Sequence, residues 1–360
     1  MKVIRIILLI LNILAALGLI ATTLAGVIAP SKNILPSVLA YGYLPMLGIN
    51  ILFVILWLFM GKWQFLLSVA AIAARYSFIG LFFQIGGTST IPPAEEHPTM
   101  VSLMSYNLHM FGGNKYESTP KDSIAYEFLD LLREHQPMVL CLQEYTAIKG
   151  LSITDSLELM GYNHYYGAHG SNTAPSGTVV FSKLPITFVK RIDQQKILVE
   201  ILNGDRPFRI LCVHMDSYAF DLDDRAEVEQ IARLKIDSTS RRTMSKAKET
   251  VIRHENEWND QLRPLVSECS LPLILAGDMN DIPSSWLYAQ ITRYLADTYR
   301  DKGLGFCTTY NGSFPRFRID MVFRSPHFST LSYRRIKTDL SDHYPVLVSL
   351  EFNDTNENGE

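Results

Sequence analysis

Apolar positions divide the chain into two parts. Up to about residue 87 the sequence is almost continuously apolar; from about residue 99 short apolar runs alternate with polar stretches. Three runs in the first part have the length of a bilayer crossing, which takes roughly 20 apolar residues. They are "VIRIILLILNILAALGLIATTLAGVIA", "VLAYGYLPMLGINILFVILWLFM" and "FLLSVAAIAARYSFIGLFFQI", placing spans at about 6–28, 38–60 and 64–85. Connections as short as "PSKN" and "GKW" read as an anchor in a lipid bilayer, not as a transport path. A cleaved signal peptide would need only the first run. The third run is the weakest because it carries Arg75, and a charge in mid-span costs a few kcal/mol unless it snorkels or pairs. Lys2 and Arg5 precede the first span and Lys62 the third, with Lys32 alone on the other side. The positive-inside rule then puts the N-terminus in the cytoplasm and everything after the third span outside. The expectation is an integral membrane protein with an extracytoplasmic C-terminal domain.

"GGTSTIPPAEEHPTM" has the composition of a linker, assigned to 88–98. Beyond it, "VSLMSYN", "MVLCLQE", "GTVVFS", "KILVEIL", "FRILCVH", "LPLILAGD", "IDMVF" and "PVLVSL" are strand-length and rich in Val, Ile and Leu. "KDSIAYEFLDLLREHQP" has Ile124, Phe128, Leu131 and Leu132 on one helical face and Pro137 past its end. A long charged insertion predicts two helices around the basic loop "STSRRTMSKAKET". The succession "GTVVFSKLPITFV", "KILVEIL", "RILCVH" predicts antiparallel hairpins. Residues 99–353 therefore form an α/β domain with many strands, followed by a polar tail at 354–360.

Length and charge narrow the choice. The 360 residues suffice for two folding units, and a net charge of -3 points to neither a basic nucleic-acid binder nor an acidic tail. Cys141, Cys212, Cys269 and Cys307 show no CxxC or CxxH spacing, which argues against a zinc knuckle. Cys141 and Cys212 lie within apolar runs and read as buried small hydrophobes.

The chemistry lies where the strands stop. "VSLMSYN" ends in Asn107, "VLCLQE" in Glu144, "RILCVH" in His214 and "LILAGDMN" in Asp278, with Asn280 two residues on. "RIDMVF" carries Asp320 at its start, and "SDH" supplies Asp342 and His343 before the last strand. Each alone has an ordinary reading as a cap, a turn residue or a satisfied histidine. Together they sit where sites are built, in loops at strand ends. Carboxylate and amide oxygens without thiolates suit a hard cation, Mg²⁺ or Mn²⁺. Such an ion plus an imidazole is what hydrolysis of a phosphate ester requires.

The ordered set "SYNLH", "LQE", "GTVVFSKLPI", "CVHMDS", "GDMND", "RIDMVF", "SDHYPV" resembles the endonuclease/exonuclease/phosphatase superfamily from about residue 99 to 352. The resemblance implies a four-layer α/β sandwich, two mixed and mostly antiparallel sheets flanked by helices. It implies Glu144 as the main metal ligand, with Asn107 and Asp342 close to the ion or its waters. Asp278 and Asn280 would orient the water and the phosphate. His343 would contact the scissile phosphate as base or transition-state stabiliser, oriented by Asp320, and His214 would be the second histidine, a candidate acid for the leaving group. Arg316 and Arg318, just before Asp320, could give the phosphate a forked contact. The expected activity is a membrane-anchored, Mg²⁺-dependent phosphoesterase acting on a phosphodiester. The alternatives are an endonuclease for extracytoplasmic DNA or RNA and a silent module that binds lipid or a partner. No protein partner is predicted.

Overall fold

The computed structural model describes residues 2–93, 95–112, 120–167, 176–218, 240–312 and 316–353. The N-terminal part is helical: α1 Lys2–Ala21, α2 Leu35–Ala40, α3 Tyr43–Phe59, α4 Phe65–Ala74 and α5 Tyr76–Ile79. Among the described residues only α1, at 20 residues, is long and apolar enough to cross a membrane. The expectation of about three spans is corrected on this point. The helix α3 has 17 residues. The third run breaks after 10 residues, because Arg75 leaves helical geometry at φ -127°, ψ 23° and separates α4 from α5. The three longer helices share a buried polar core. Asn12 on α1 donates to the Ser68 hydroxyl on α4 (2.6 Å) and accepts from the Trp57 indole N–H on α3 (2.9 Å). Ser68 donates to Asn50 Oδ1 (2.9 Å), and the Asn50 amide donates to the carbonyl of Ala15. Every polar group in this chain of bonds is partnered, as burial demands.

The second part contains two six-stranded sheets. The strands are β1 Phe83–Gln84, β2 Met100–Asn107, β3 Val139–Tyr145, β4 His164–Gly167, β5 Gly177–Ser182, β6 Ile186–Arg191, β7 Lys196–Asn203, β8 Arg206–His214, β9 Leu273–Asp278, β10 Ala296–Asp297, β11 Gly305–Phe306, β12 Asp320–Arg324, β13 Phe328–Arg335 and β14 Val346–Phe352. One sheet runs β13-β14-β2-β3-β5-β4, the other β10-β12-β9-β8-β7-β6. Two central pairs are parallel, β2 with β3 and β8 with β9; the other pairs within the two sheets are antiparallel. The hairpin expected from "GTVVFSKLPITFV" does not form, since β5 and β6 belong to different sheets and the chain crosses between them through Pro185.

Period-2 alternation gives each sheet two apolar faces. Val101, Leu103, Val139, Cys141, Ile210, Cys212, Ile274, Ala276, Val322, Val346 and Val348 fill the space between the sheets. The helix α6, Lys121–His135, covers one outer face with Ile124, Phe128 and Leu132, as its pattern predicts. Trp258, Leu262, Trp286 and Ile291 cover the other. The result is the four-layer sandwich. Of the expected basic loop, residues 240–250 lie in a helix, Ser240–Glu257, and the first of the two expected helices falls outside the described residues.

The expected linker is held against the domain. Thr88 N–H donates to the Lys302 carbonyl (3.1 Å), Tyr333 N–H to the Thr88 carbonyl (3.0 Å), and β1 pairs with β11.

Candidate active site

The topology brings the polar strand ends to one edge of the sandwich. The parallel pairs align their C-terminal ends, so Asn107 and Glu144 meet in one sheet and His214 and Asp278 in the other. Antiparallel neighbours contribute N-terminal ends: Asp320 lies opposite Asp278, and the loop before β14 carries Asp342 and His343. Asn107, His214, Asp278 and Asp320 have the same parity as the inward-facing Leu103, Cys212, Ala276 and Val322. Alternation therefore points all four side chains into the gap between the sheets.

Glu144 has the wrong parity and reaches the site by another device. Between Leu142 and Tyr145 the register of β3 on β5 slips by a residue, and Glu144 adopts φ 50°. This bulge re-aims one side chain at the end of a strand. Gly277 is needed next to the site: its φ is 146°, and a Cβ there would stand 1.8 Å from the Val213 carbonyl oxygen. Only glycine lets β8 and β9 approach closely enough to align His214 with Asp278.

Donors converge on Asp278. Its Oδ2 accepts from the Asn107 amide at 3.0 Å and faces Nε2 of His343 at 3.7 Å and Nε2 of His214 at 3.9 Å. Asn107 also donates to Glu144 Oε1 at 3.2 Å, and His214 Nε2 lies 3.8 Å from that oxygen. Behind the imidazoles stand their orienting groups. His343 Nδ1 is 2.9 Å from Asp320 Oδ2, and His214 Nδ1 is 3.1 Å from Gln195 Oε1. Burial would lower the affinity of His343 for its proton, but Asp320, Asp278 and Asp342 outweigh it and raise the imidazole well above its ordinary value. Burial likewise pushes the Asp320 carboxyl up. The pair thus holds one proton tightly. Ser341 fixes the loop by donating to the Asn107 carbonyl (2.8 Å) and accepting from His343 N–H (3.2 Å).

Asn280 is beside the cluster at φ 46°, its N–H on Asp278 Oδ1 (2.9 Å) and its amide on the Met215 carbonyl (2.9 Å). His109 joins the group unforeseen: its Nδ1 is 3.3 Å from Asp342 Oδ1 and 3.9 Å from Glu144 Oε2. Three successive positive-φ residues, His109, Met110 and Phe111, turn it back towards the strand end. Its signal was the last letter of "SYNLH". Arg318 does not join the cluster. It is buried, forked onto Asp297 (3.2 and 2.7 Å) and stacked on Tyr299 at 4.4 Å, so its guanidinium has no donor face for a substrate. Arg316 is exposed.

Glu144, Asp278, Asp320 and Asp342 crowd together, and among the described residues no Lys or Arg pairs with any of them. Hard oxygen donors in excess of nearby positive charge fit a divalent cation. Asp278, Asp320 and His343 present ligand atoms within 4.8 Å of one another.

Residues 104–343 match the model of the Endonuclease/Exonuclease/phosphatase family. The chain belongs to that family. It is accordingly a hydrolase of phosphoester bonds in a metal-dependent family. Residues 5–82 match a second model, described as a Domain of unknown function (DUF8431). Similar solved structures cover this part of the chain. The human Nocturnin catalytic domain, solved with a bound sulfate anion, is 17% identical, with 74% of this chain and 100% of that chain covered and a TM-score of 0.50. An endonuclease/exonuclease/phosphatase from Beutenbergia cavernae is 19% identical over 71% of this chain and 72% of that one, at 0.49. Truncated Caenorhabditis elegans TDP2 is 16% identical over 71% and 99%, at 0.48. No curated protein sequence matches the chain.

Proposed function

We propose that the protein is a membrane-anchored phosphodiesterase dependent on Mg²⁺ or Mn²⁺, held by Glu144, Asn107 and Asp342. The observation that carries this reading is the convergence of two separately oriented imidazoles on Asp278. A divalent ion held there would offset charge on the phosphoryl oxygens and leaving group. Asp278 accepts a hydrogen bond from the attacking water, orients it and takes its proton as the oxygen adds to phosphorus, with Asn280 holding the loop and the phosphate beside it. His343, fixed by Asp320, donates to the phosphoryl oxygen and stabilises the charge on it. His214, fixed by Gln195, protonates the leaving oxygen.

The surface of the helical part supports anchoring. Ile4, Ile7, Leu14, Leu17, Leu52, Leu58 and Phe59 are exposed around the buried Asn12, Asn50 and Ser68. A bundle that is apolar outside and polar within suits lipid as its solvent. The basic residues Lys2 and Arg5 at the start of α1 support an extracytoplasmic catalytic domain.

The test uses the full chain in detergent with Mg²⁺ or EDTA. It is offered DNA, RNA, sphingomyelin, phosphatidylinositol, nucleotide-sugar diphosphates and bis(p-nitrophenyl) phosphate. Metal-dependent turnover lost on Glu144→Ala is the expected result; turnover that ignores EDTA and Glu144→Ala sinks the reading. A reporter fused after residue 360 that is active only in the cytoplasm would overturn the assigned side.

A further inference from the structure

The connection between α1 and α3 packs directly on the loops that carry the site. Ala25 and Ala40 form a buried cluster with Ile282, and Tyr41 and Phe317 pack against it. Ser284 donates to the Ala40 carbonyl (3.1 Å), and Ser31 donates to Glu255 through both N–H and hydroxyl (2.7 Å each). Tyr41 links this connection to the β8 loop. Its hydroxyl is 2.5 Å from that of Tyr218, its ring meets Phe317 edge-on at 5.5 Å, and the Asp281 carboxylate stands nearby.

Tyr218 and Asp281 belong to the two loops that leave β8 and β9, four residues past His214 and one past Asn280. The loops are joined twice more. Asn280 donates to the Met215 carbonyl, and His254 lies between them, Nε2 2.7 Å from the Asp216 carbonyl and Nδ1 3.6 Å from Asp281 Oδ2. Tyr218 stands edge-on to the His254 ring at 6.0 Å. Phenylalanine would fill the space of Tyr41 equally well. The hydroxyl therefore contributes orientation, bridging one loop to the other from outside the catalytic domain.

We infer that Tyr41 is a positioning residue of the hydrolytic site. Bonded to Tyr218, with the neighbouring Ala40 fixed on Ser284 and Ile282, it holds the β8 and β9 loops so that His214 and Asn280 stay aligned with Asp278. The helical segment is then part of the catalytic unit and not only its anchor. The inference rests on the phosphoesterase reading for its kinetic consequence and on geometry alone for its structural one. Small misplacements of catalytic groups cost rate out of proportion to stability.

The test compares wild type, Tyr41→Phe and Tyr218→Phe as full chains in detergent with Mg²⁺, on bis(p-nitrophenyl) phosphate. In both variants kcat falls about tenfold, which corresponds to about 1.4 kcal/mol, while KM and melting temperature stay at wild-type values. The double variant is no slower than the slower single one. Hydrogen exchange in Tyr41→Phe quickens in peptides covering 214–218 and 278–284 and is unchanged at 139–142. Wild-type kcat with wild-type exchange overturns the inference. So does a kcat loss that tracks a lowered melting temperature, which would mark an ordinary packing role. If wild type hydrolyses nothing with Mg²⁺ or Mn²⁺, the phosphoesterase reading fails and exchange decides alone: faster in both loops upholds the clamp, unchanged refutes it.

Discussion

His343 Nδ1 lies 2.9 Å from Asp320 Oδ2, and the two residues come from opposite sheets. Asp320 opens β12, while His343 precedes β14. Asn107 and Asp278 make a second such bridge at 3.0 Å. The site is therefore assembled by the packing of the sandwich itself, and neither sheet carries it alone. His343→Gln should lower kcat by roughly 10²–10⁴, and Asp320→Asn should lower it through the same imidazole. Because the two act as a unit, the double variant should be no slower than His343→Gln. Steady-state kinetics on a phosphodiester checks this, and additive losses would show independent roles.

The same pair sets a pH dependence of stability. The folded chain binds the His343 proton more tightly than an exposed imidazole does, because three carboxylates outweigh burial. That contribution is complete below about pH 6.5, the value for an unfolded histidine. It disappears as the pH rises through the higher folded value. EDTA-treated wild type should melt at falling temperature as the pH is raised above neutral, and His343→Gln should give a flatter profile. A wild-type melting temperature that climbs over this range would contradict the assignment.

Glu144 occupies a backbone conformation that disfavours a side chain, at φ 50°. The strain of about 1–2 kcal/mol is retained where a carboxylate must face other carboxylates. Glu144→Gly should abolish metal-dependent turnover yet melt no lower than Glu144→Gln. Thermal denaturation of both variants decides; a glycine variant that melts well below the glutamine variant would show that the bulge owes nothing to strain.

In the helical bundle, Asn12 bonds to both Ser68 and Trp57. Asn12→Leu would strand the buried indole N–H of Trp57 and cost the Ser68 hydroxyl one of its two bonds. Interhelical hydrogen bonds of this kind are worth about 1–2 kcal/mol. The detergent-solubilised variant should melt lower, with kcat unchanged at temperatures where it is folded.

Much of this site was legible because strands alternate. Asn107, His214, Asp278 and Asp320 share the parity of their inward-facing apolar neighbours, so the sequence that fills the core also aims the polar ends. Glu144 escapes that logic, since a bulge is set by local backbone geometry that parity cannot report. The break at Arg75 was visible only as a weakness in a hydropathic run. The docking of Tyr41 on Tyr218 was invisible, because it joins residues 177 positions apart through a packing that no local pattern encodes. Arg318 misled for a related reason: its place beside Asp320 says nothing about which side of β12 it faces.

Arg318 separates a structural cation from a substrate contact. It is fully enclosed by Asp297, the Leu81 carbonyl and the rings of Tyr299 and Tyr288. Removing one partner of a buried ion pair leaves an uncompensated charge and costs about 3–5 kcal/mol. Arg318→Met should therefore fold poorly, and Asp297→Asn in the same chain should restore part of the melting temperature by removing the stranded carboxylate. Arg318→Lys keeps the charge but loses the fork on Asp297, so it should melt lower with KM unchanged. The exposed Arg316 should behave in the opposite way, Arg316→Ala raising KM several-fold at an unaltered melting temperature if it is the one that meets the phosphate. A tenfold rise in KM for Arg318→Lys at wild-type stability would return the phosphate contact to Arg318 and contradict the buried pair.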